Sequence, residues 1–169
     1  LGRSYGDSAN SNVVLDTTPL NSVINFDSES GVILCESGVS IKEINEIIIP
    51  RGWFVPVTSG SSYVTLGGAI ASDIHGKNHH LDGAFSDHIL SANLMLGDGE
   101  ILTISNSINT DLFWATCGGM GLTGIIISAS IKLKPISSNL IKQTTIKNNS
   151  LEELFNKFKI NFSSPYSVA

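Results

Sequence analysis

Short apolar, β-branched runs dominate the first part of the chain: VVLD (13–16), SVINFD (22–27) and GVILCESG (31–38). Pro19, Leu20 and Asn21 separate the first two, and Ser28, Glu29, Ser30 and Gly31 the next. Runs of this length, broken by turn residues, predict closely spaced short strands. A helix follows. Ser40 and Glu43 stand in the capping-box relation, in which the hydroxyl takes an amide of the first turn and the carboxylate reaches back to the cap. Ile41, Ile44, Ile47 and Ile48 then recur at helical spacing until Pro50 and Gly52 end the run. WFVPV (53–57) is extended again, and Pro56 argues for an edge or a short piece.

The pattern changes over residues 58 to 87, which are rich in Gly, Ser and Asp but carry Val64, Leu66, Ile70 and Ile74. A loop of this length without regular structure points to function or disorder, and the interleaved apolar residues argue against disorder. HILSANLML (88–96) and EILTIS (100–105) flank Gly97, Asp98 and Gly99, the strongest hairpin signal in the chain. Thr110 and Asp111 can cap a short helix, DLFWAT. CGGMGLTG (117–124) then leads into a long strand, IIISASIKLKP (125–135). Beyond Pro135 the pattern predicts a strand in NLIKQTTI and an amphipathic helix in SLEELFNKFK (150–159), with Leu151, Leu154, Phe155 and Phe158 on one face. The domain boundary is expected near residue 136. The chain opens inside a motif, LGRSYGDS, and stops at SSPYSVA, which predicts a piece of a longer protein.

Composition narrows the partners. Charged residues are 15% of the 169, against about 25% in ordinary soluble domains. Hydrophobic residues are 41%. These figures suit a chain that is covered by further domains or that encloses a large cofactor. The net charge is −5, without a run of Lys or Arg, so a nucleic-acid footprint is absent. No apolar run approaches the ~20 residues of a membrane span, and the expected place is the cytoplasm or the membrane periphery. Cys35 and Cys117 are the only cysteines. Each lies in an apolar run and reads as a small core residue, though a disulfide between them stays open. Trp53 and Trp114 are expected in the core, and Asp98 in a turn.

Glycines gather in three places: LGRSYGDS (1–8), TSGSSYVTLGGAIAS (58–72) and CGGMGLTG (117–124). None is followed by the Gly-Lys-Ser/Thr of a Walker loop, and none is a G-x-G-x-x-G between strand and helix. One such cluster is an ordinary tight turn. Three together suggest backbone amides that wrap a long phosphate-bearing ligand. Between them lies SDIHGKNHH (72–80). His75 and His79 have the spacing of two imidazoles on one helix face, but the glutamate of H-E-x-x-H is missing and Gly76 disfavours a regular helix. A metal site, an acid–base pair, and a purely structural role in which His79 and His80 hydrogen-bond neighbouring backbone all remain open at this point.

In combination, GRSYGDS, CESGVSIKEINEIIIPRGWFVPV, VTLGGAIASDIHGKNHHLDGAFSDHI, LMLGDGEI and LFWATCGGMGLTGII resemble the FAD-binding (PCMH-type) domain of the vanillyl-alcohol oxidase / p-cresol methylhydroxylase family. Within it the likeness is to the subfamily of decaprenylphosphoryl-β-D-ribose 2-epimerase oxidase subunits. It covers residues 1 to 135, and GGAIASDIHGKNHH is its most specific string. The resemblance implies an α+β fold: two α+β subdomains holding FAD in an extended pose. Here that fold would be truncated at the N-terminus and would lack most of the substrate-capping domain, with residues 136–169 as that domain's start.

The resemblance also implies a site. Gly2, Arg3, Ser4, Tyr5, Gly6, Asp7, Ser8 and Ala9 match the loop at the flavin's pyrophosphate and ring. Gly60, Thr65, Leu66, Gly67 and Gly68 match a second phosphate-contacting loop. Ser72, Asp73, Ile74 and His75 match the segment that passes the isoalloxazine, and Ile125 and Ile126 the strand start near the adenosine. Many members tether flavin through a histidine at the position of Asp7, so this chain is expected to hold FAD non-covalently. His75 would then take a hydroxyl proton as hydride leaves for flavin N5. Lys77 and Asn78 would orient substrate hydroxyls or steady the reduced flavin, and Tyr5 would stack near the ring.

The expected activity is FAD-dependent oxidation of a secondary alcohol, on a sugar or a polyprenyl-phosphoryl sugar, to a ketone. A separate reductase partner would complete an epimerisation. Two rivals stand beside it: an NADPH-dependent flavin reductase of enolpyruvyl sugars on the same fold, and a non-catalytic FAD- or nucleotide-binding domain. No metal is expected.

Overall fold

The computed structural model describes residues 11–169. The stretch from Gly2 to Ala9, with everything expected of Tyr5 and Asp7, lies outside the described residues.

A five-stranded sheet organises the chain, in the order β1-β2-β6-β4-β5 with every neighbouring pair antiparallel. Its strands are β1 (Val23–Asp27), β2 (Val32–Glu36), β4 (Ile89–Met95), β5 (Ile101–Ile104) and β6 (Ile125–Lys132). A two-stranded ribbon pairs β3 (Trp53–Phe54) with β7 (Lys134–Pro135). The helices are α1 (Ile41–Ile48), α2 (Leu66–Ala71), α3 (His79–Asp82), α4 (Thr110–Thr116) and α5 (Leu151–Ile160). This is the α+β class that the resemblance implies.

Alternation explains the sheet. β2 buries Ile33 and Cys35 while Val32, Leu34 and Glu36 are half-buried, as a period of two requires. Ala129 and Ile131 of β6 and Ala92 and Leu94 of β4 join the same core. The predicted hairpin forms with Met95 opposite Ile101, and the Asp98 side chain accepts the Glu100 amide in its turn. Helix α1 is capped as expected: the Ser40 hydroxyl accepts the Glu43 amide and the Glu43 carboxylate accepts the Ser40 amide. Ile41, Ile44 and Ile48 are fully buried, each contributing about 1.5–3 kcal/mol. That burial outweighs the ~1 kcal/mol of a cap, so the cap sets where the helix starts and packing keeps it.

Several expectations fail. Residues 13–16 form no strand; Val13, Val14 and Leu15 are exposed, with no ladder partner among the described residues. Residues 139–146 likewise stay unpaired and exposed rather than extended in a sheet. The segment 58–87 is not a loop throughout, since α2 and α3 form inside it. Neither Thr110 nor Asp111 caps α4. Asn109 holds that position with φ 49°, and both residues lie in the first turn. Trp114 is 50% exposed, not core, and its ring meets Phe113 edge-on at 4.9 Å. Trp53 is half-buried, with its indole N–H donating to the Ser28 carbonyl at 3.0 Å. On α5 the predicted apolar face covers little: Leu151 and Phe155 are exposed. No helix among the described residues is long and apolar enough to cross a membrane.

Candidate functional site

The second and third glycine clusters meet at α2. Thr65 caps this helix, its hydroxyl accepting the Gly68 amide at 3.3 Å, and Leu66, Ala69 and Ile70 face the core. The amide of Leu66 donates to the Val39 carbonyl and that of Gly67 to the Ser37 carbonyl, both at 2.8 Å. At the other end of the helix, the amides of Gly118 and Met120 donate to the carbonyls of Ile70 and Ala71 at 3.0 and 2.8 Å. The 117–124 turn is thereby fastened to α2.

This arrangement corrects part of the expected phosphate contact. The amides of Leu66, Gly67 and Gly68 already have partners inside the protein, and the two glycines serve packing. A Cβ on Gly67 would stand 2.9 Å from the Ser37 Cβ, closer than two carbons can pack. Gly60 differs. Nothing lies within 4 Å of where its Cβ would stand, and it is exposed. Among the described residues the amides of Gly60, Ser61 and Ser62 donate to nothing. They are the stretch of this segment whose amides the described residues leave unbonded.

The histidine segment starts where α2 ends. Asp73 has φ 39°, in the left-handed region that side chains rarely occupy. Its carboxylate fixes it there by accepting the Ser86 amide at 2.9 Å and the Ser86 hydroxyl at 3.1 Å. His75 pairs with Ala84 as an isolated antiparallel bridge. His75, Lys77 and His79 are exposed, while Asn78 between them is completely buried. Gly76 packs against the preceding loop: a Cβ on it would stand 3.0 Å from the Thr58 carbonyl oxygen and run into Asn78 Oδ1. The start of the Gly60 loop, at Thr58, therefore packs against the turn that carries the histidines.

His75 and His79 do not share a helix. His79 opens α3 and His75 precedes it, their rings edge-on with centroids 6.1 Å apart. Among the described residues no group of three His, Cys, Asp or Glu side chains is placed to hold a metal ion. His80 does bond a backbone carbonyl, but a distant one: its Nε2 lies 3.1 Å from Ser164 O, and its ring packs on Phe162. Gly76, Lys77, His79 and His80 line one side of a cavity of about 390 Å³, with Phe158, Phe162 and Ser167 opposite.

Asn78 does not face this cavity, contrary to the role expected of it. Its Nδ2 donates to the Pro56 carbonyl at 2.8 Å and to Asp82 Oδ2 at 2.6 Å. The same carboxylate oxygen accepts Lys134 Nζ at 2.7 Å. Burial pushes the Asp82 carboxyl up. The hydrogen bonds from Lys134 and Asn78 and the charges of Lys134 and His88 outweigh it, and the group sits below the ordinary carboxylate range. Both cysteines are free. Burial raises Cys35 to about 12. Burial, then the nearby Asp73 charge, raises Cys117 to about 11. A thiol held this far from its thiolate is a poor nucleophile.

Ser72 is exposed and Ile74 half-buried beside the core. Ile125 is half-buried opposite Met95, whereas Ile126 is a core residue opposite Leu94, which leaves only its backbone for a ligand. Sequence reading missed Ser37, Ser86, Asp82 and Lys134. Lys134 and Asp82 lie far apart in sequence, and no spacing rule joins them.

Comparison with known proteins identifies the family. The model of the FAD binding domain family matches residues 2–105. Decaprenylphosphoryl-beta-D-ribose oxidase of Mycolicibacterium smegmatis is 44% identical over 80% of this chain and 30% of its own length. An uncharacterized protein of Streptomyces coelicolor, from the mprA 5' region, is 38% identical over 69% of this chain and 31% of its own. FAD-linked oxidoreductase OXR1 of Pyricularia oryzae is 33% identical over 72% and 24%. The chain spans less than a third of the length of each of these relatives. The Gly60 loop, open and rich in donors, fits a cofactor whose middle is a pyrophosphate. On this evidence the chain belongs to the family of FAD-binding domains.

Proposed function

We propose that the intact polypeptide containing this chain is an FAD-dependent oxidoreductase that oxidises a secondary alcohol of a sugar, or of a polyprenyl-phosphoryl sugar, to a ketone. The observation that carries the reading is the contact of Gly76 with Thr58, which joins the exposed His75–Lys77 face to the loop whose Gly60, Ser61 and Ser62 amides donate to nothing among the described residues. The relative from M. smegmatis is named an oxidase of such a lipid-linked sugar. FAD, when bound, supplies the acceptor for the hydride of the carbinol carbon.

The chain's own residues do the rest. Amides of the Gly60 loop donate to phosphate oxygens. The His75 ring nitrogen takes the hydroxyl proton as the C–H bond breaks, and the Lys77 ammonium holds the substrate oxygen or the negative edge of the reduced ring. From the resemblance, Tyr5 and the residues from Gly2 to Ala9 close the site over the ring, and Asp7 leaves the FAD untethered. Residues 136–169 begin the domain that covers the substrate. A lipid-linked substrate puts the enzyme at the membrane periphery, where a separate reductase completes an epimerisation.

The test is an anaerobic titration of the intact flavoprotein with secondary alcohols, including a polyprenyl-phosphoryl sugar. Alcohols should bleach the visible flavin band and NADPH should not; the reverse result makes the protein a reductase. His75→Ala should keep FAD and slow bleaching about 10²- to 10⁴-fold. Unfolding should release the yellow chromophore, and colour that stays with the polypeptide overturns the untethered reading.

A further inference from the structure

We propose that Lys134, Asp82 and Asn78 form a positioning device that sets the height of the histidine segment and so places His75 and Lys77; its bearing on flavin rests on the function proposed above. Three attachments define the device. Asn78 is fully buried, and both hydrogens of its amide nitrogen are used, one by the Pro56 carbonyl and one by Asp82 Oδ2. Asp82 ends α3 and shares that oxygen with Lys134 Nζ at 2.7 Å. Lys134 lies on β7, opposite Phe54 of β3, two residues before Pro56. The segment is thus held by Lys134 on the ribbon and by the Pro56 carbonyl, just beyond the ribbon's other strand. His88 adds a third tie, its Nε2 2.7 Å from the Asp82 carbonyl oxygen.

The geometry explains why the neighbours are accessible. With Asn78 drawn inward, Lys77 and His79 on either side point outward. Gly76 lets the turn pass, because any side chain there would meet Asn78 Oδ1 or the Thr58 carbonyl. Both amide hydrogens of Asn78 are matched, while its Oδ1 has no partner among the described residues; the matched donors favour this inward geometry over its alternatives. The Lys134–Asp82 pair is partly sheltered, with side chains 37% and 19% exposed, so it is screened less than a surface pair. None of the three touches substrate in this scheme; they act through His75 and Lys77.

The test uses the intact polypeptide with Lys134→Met, Lys134→Arg and Asp82→Asn, and Ile104→Val as a control in the core of the sheet's far edge. Three readouts are compared: histidine Hε1 NMR resonances without FAD, the flavin absorption spectrum with FAD, and KM against kcat for an alcohol substrate. Lys134→Met and Asp82→Asn should each move the His75 and His79 resonances, shift the flavin band and lower kcat about tenfold with KM little changed. Lys134→Arg, which keeps the pair, should restore all three. Ile104→Val should lower Tm and leave the resonances, band and kcat as they were. Unmoved His75 and His79 resonances in both Lys134→Met and Asp82→Asn overturn the proposal. Resonances that move in a protein that takes up no FAD support the device and overturn the flavin function instead.

Discussion

Gly60 and Gly67 belong to one glycine-rich segment, yet the fold uses them for opposite purposes. Gly67 is pressed onto Ser37, its amide given to the Ser37 carbonyl. Gly60 stands clear of every neighbour among the described residues, and the amides around it donate to none of them. The first glycine exists so that a helix can approach a strand end. The second leaves its backbone uncovered by the described residues. A run of glycines in a sequence does not distinguish the two; the partners of their amides do.

Substitutions can break this contrast. Gly67→Ala should cost most. Overpacking costs about 1–3 kcal/mol, and Ala regains less than ~1 kcal/mol of helix propensity, so urea unfolding of the FAD-free protein should show a net loss of about 1–2 kcal/mol. Thr65→Ala removes the cap on the same helix and should cost ~1 kcal/mol by the same assay. Gly60→Ala should leave unfolding within about 0.5 kcal/mol of wild type while weakening FAD binding in a flavin-fluorescence titration. A Gly60→Ala loss equal to that of Gly67→Ala, with FAD affinity unchanged, would erase the distinction. Stability lost together with affinity in Gly67→Ala but in neither of the others would confine the cofactor contact to α2.

The same contrast shows what the sequence made legible. Where local chemistry agreed with the final packing, the reading held: the Ser40–Glu43 box, the Asp98 hairpin, the strand from Ile125 and the helix after Ser150. It failed where partners decide. Two glycines mid-sequence hid α2, which exists because Leu66, Ala69 and Ile70 are buried and Thr65 caps it. Residues 13–16 and 139–146 have strand-like composition without a strand to pair with among the described residues. The His75–His79 spacing alone allowed one helix face; Gly76 argued against a regular helix, and the helix indeed begins only at His79. The site's chemistry was visible in DIHGKNHH as a string. The inward turn of Asn78 was not, because its partners are the Pro56 carbonyl and, through Asp82, Lys134.

The middle strand of the sheet is also nearly the last to be made. β2 pairs with β6 from Val32 opposite Lys132 to Glu36 opposite Ser128, so about a hundred residues must be synthesised before the first hairpin gains its second neighbour. Closures over such long stretches of chain are slow and leave strand edges bare meanwhile. Because α2 rests on both β2 and β6, the glycine-rich loops on either side of it cannot settle until that late strand arrives. Assembly on the ribosome therefore leaves this surface unformed until β6 has emerged, and cofactor capture waits on that strand.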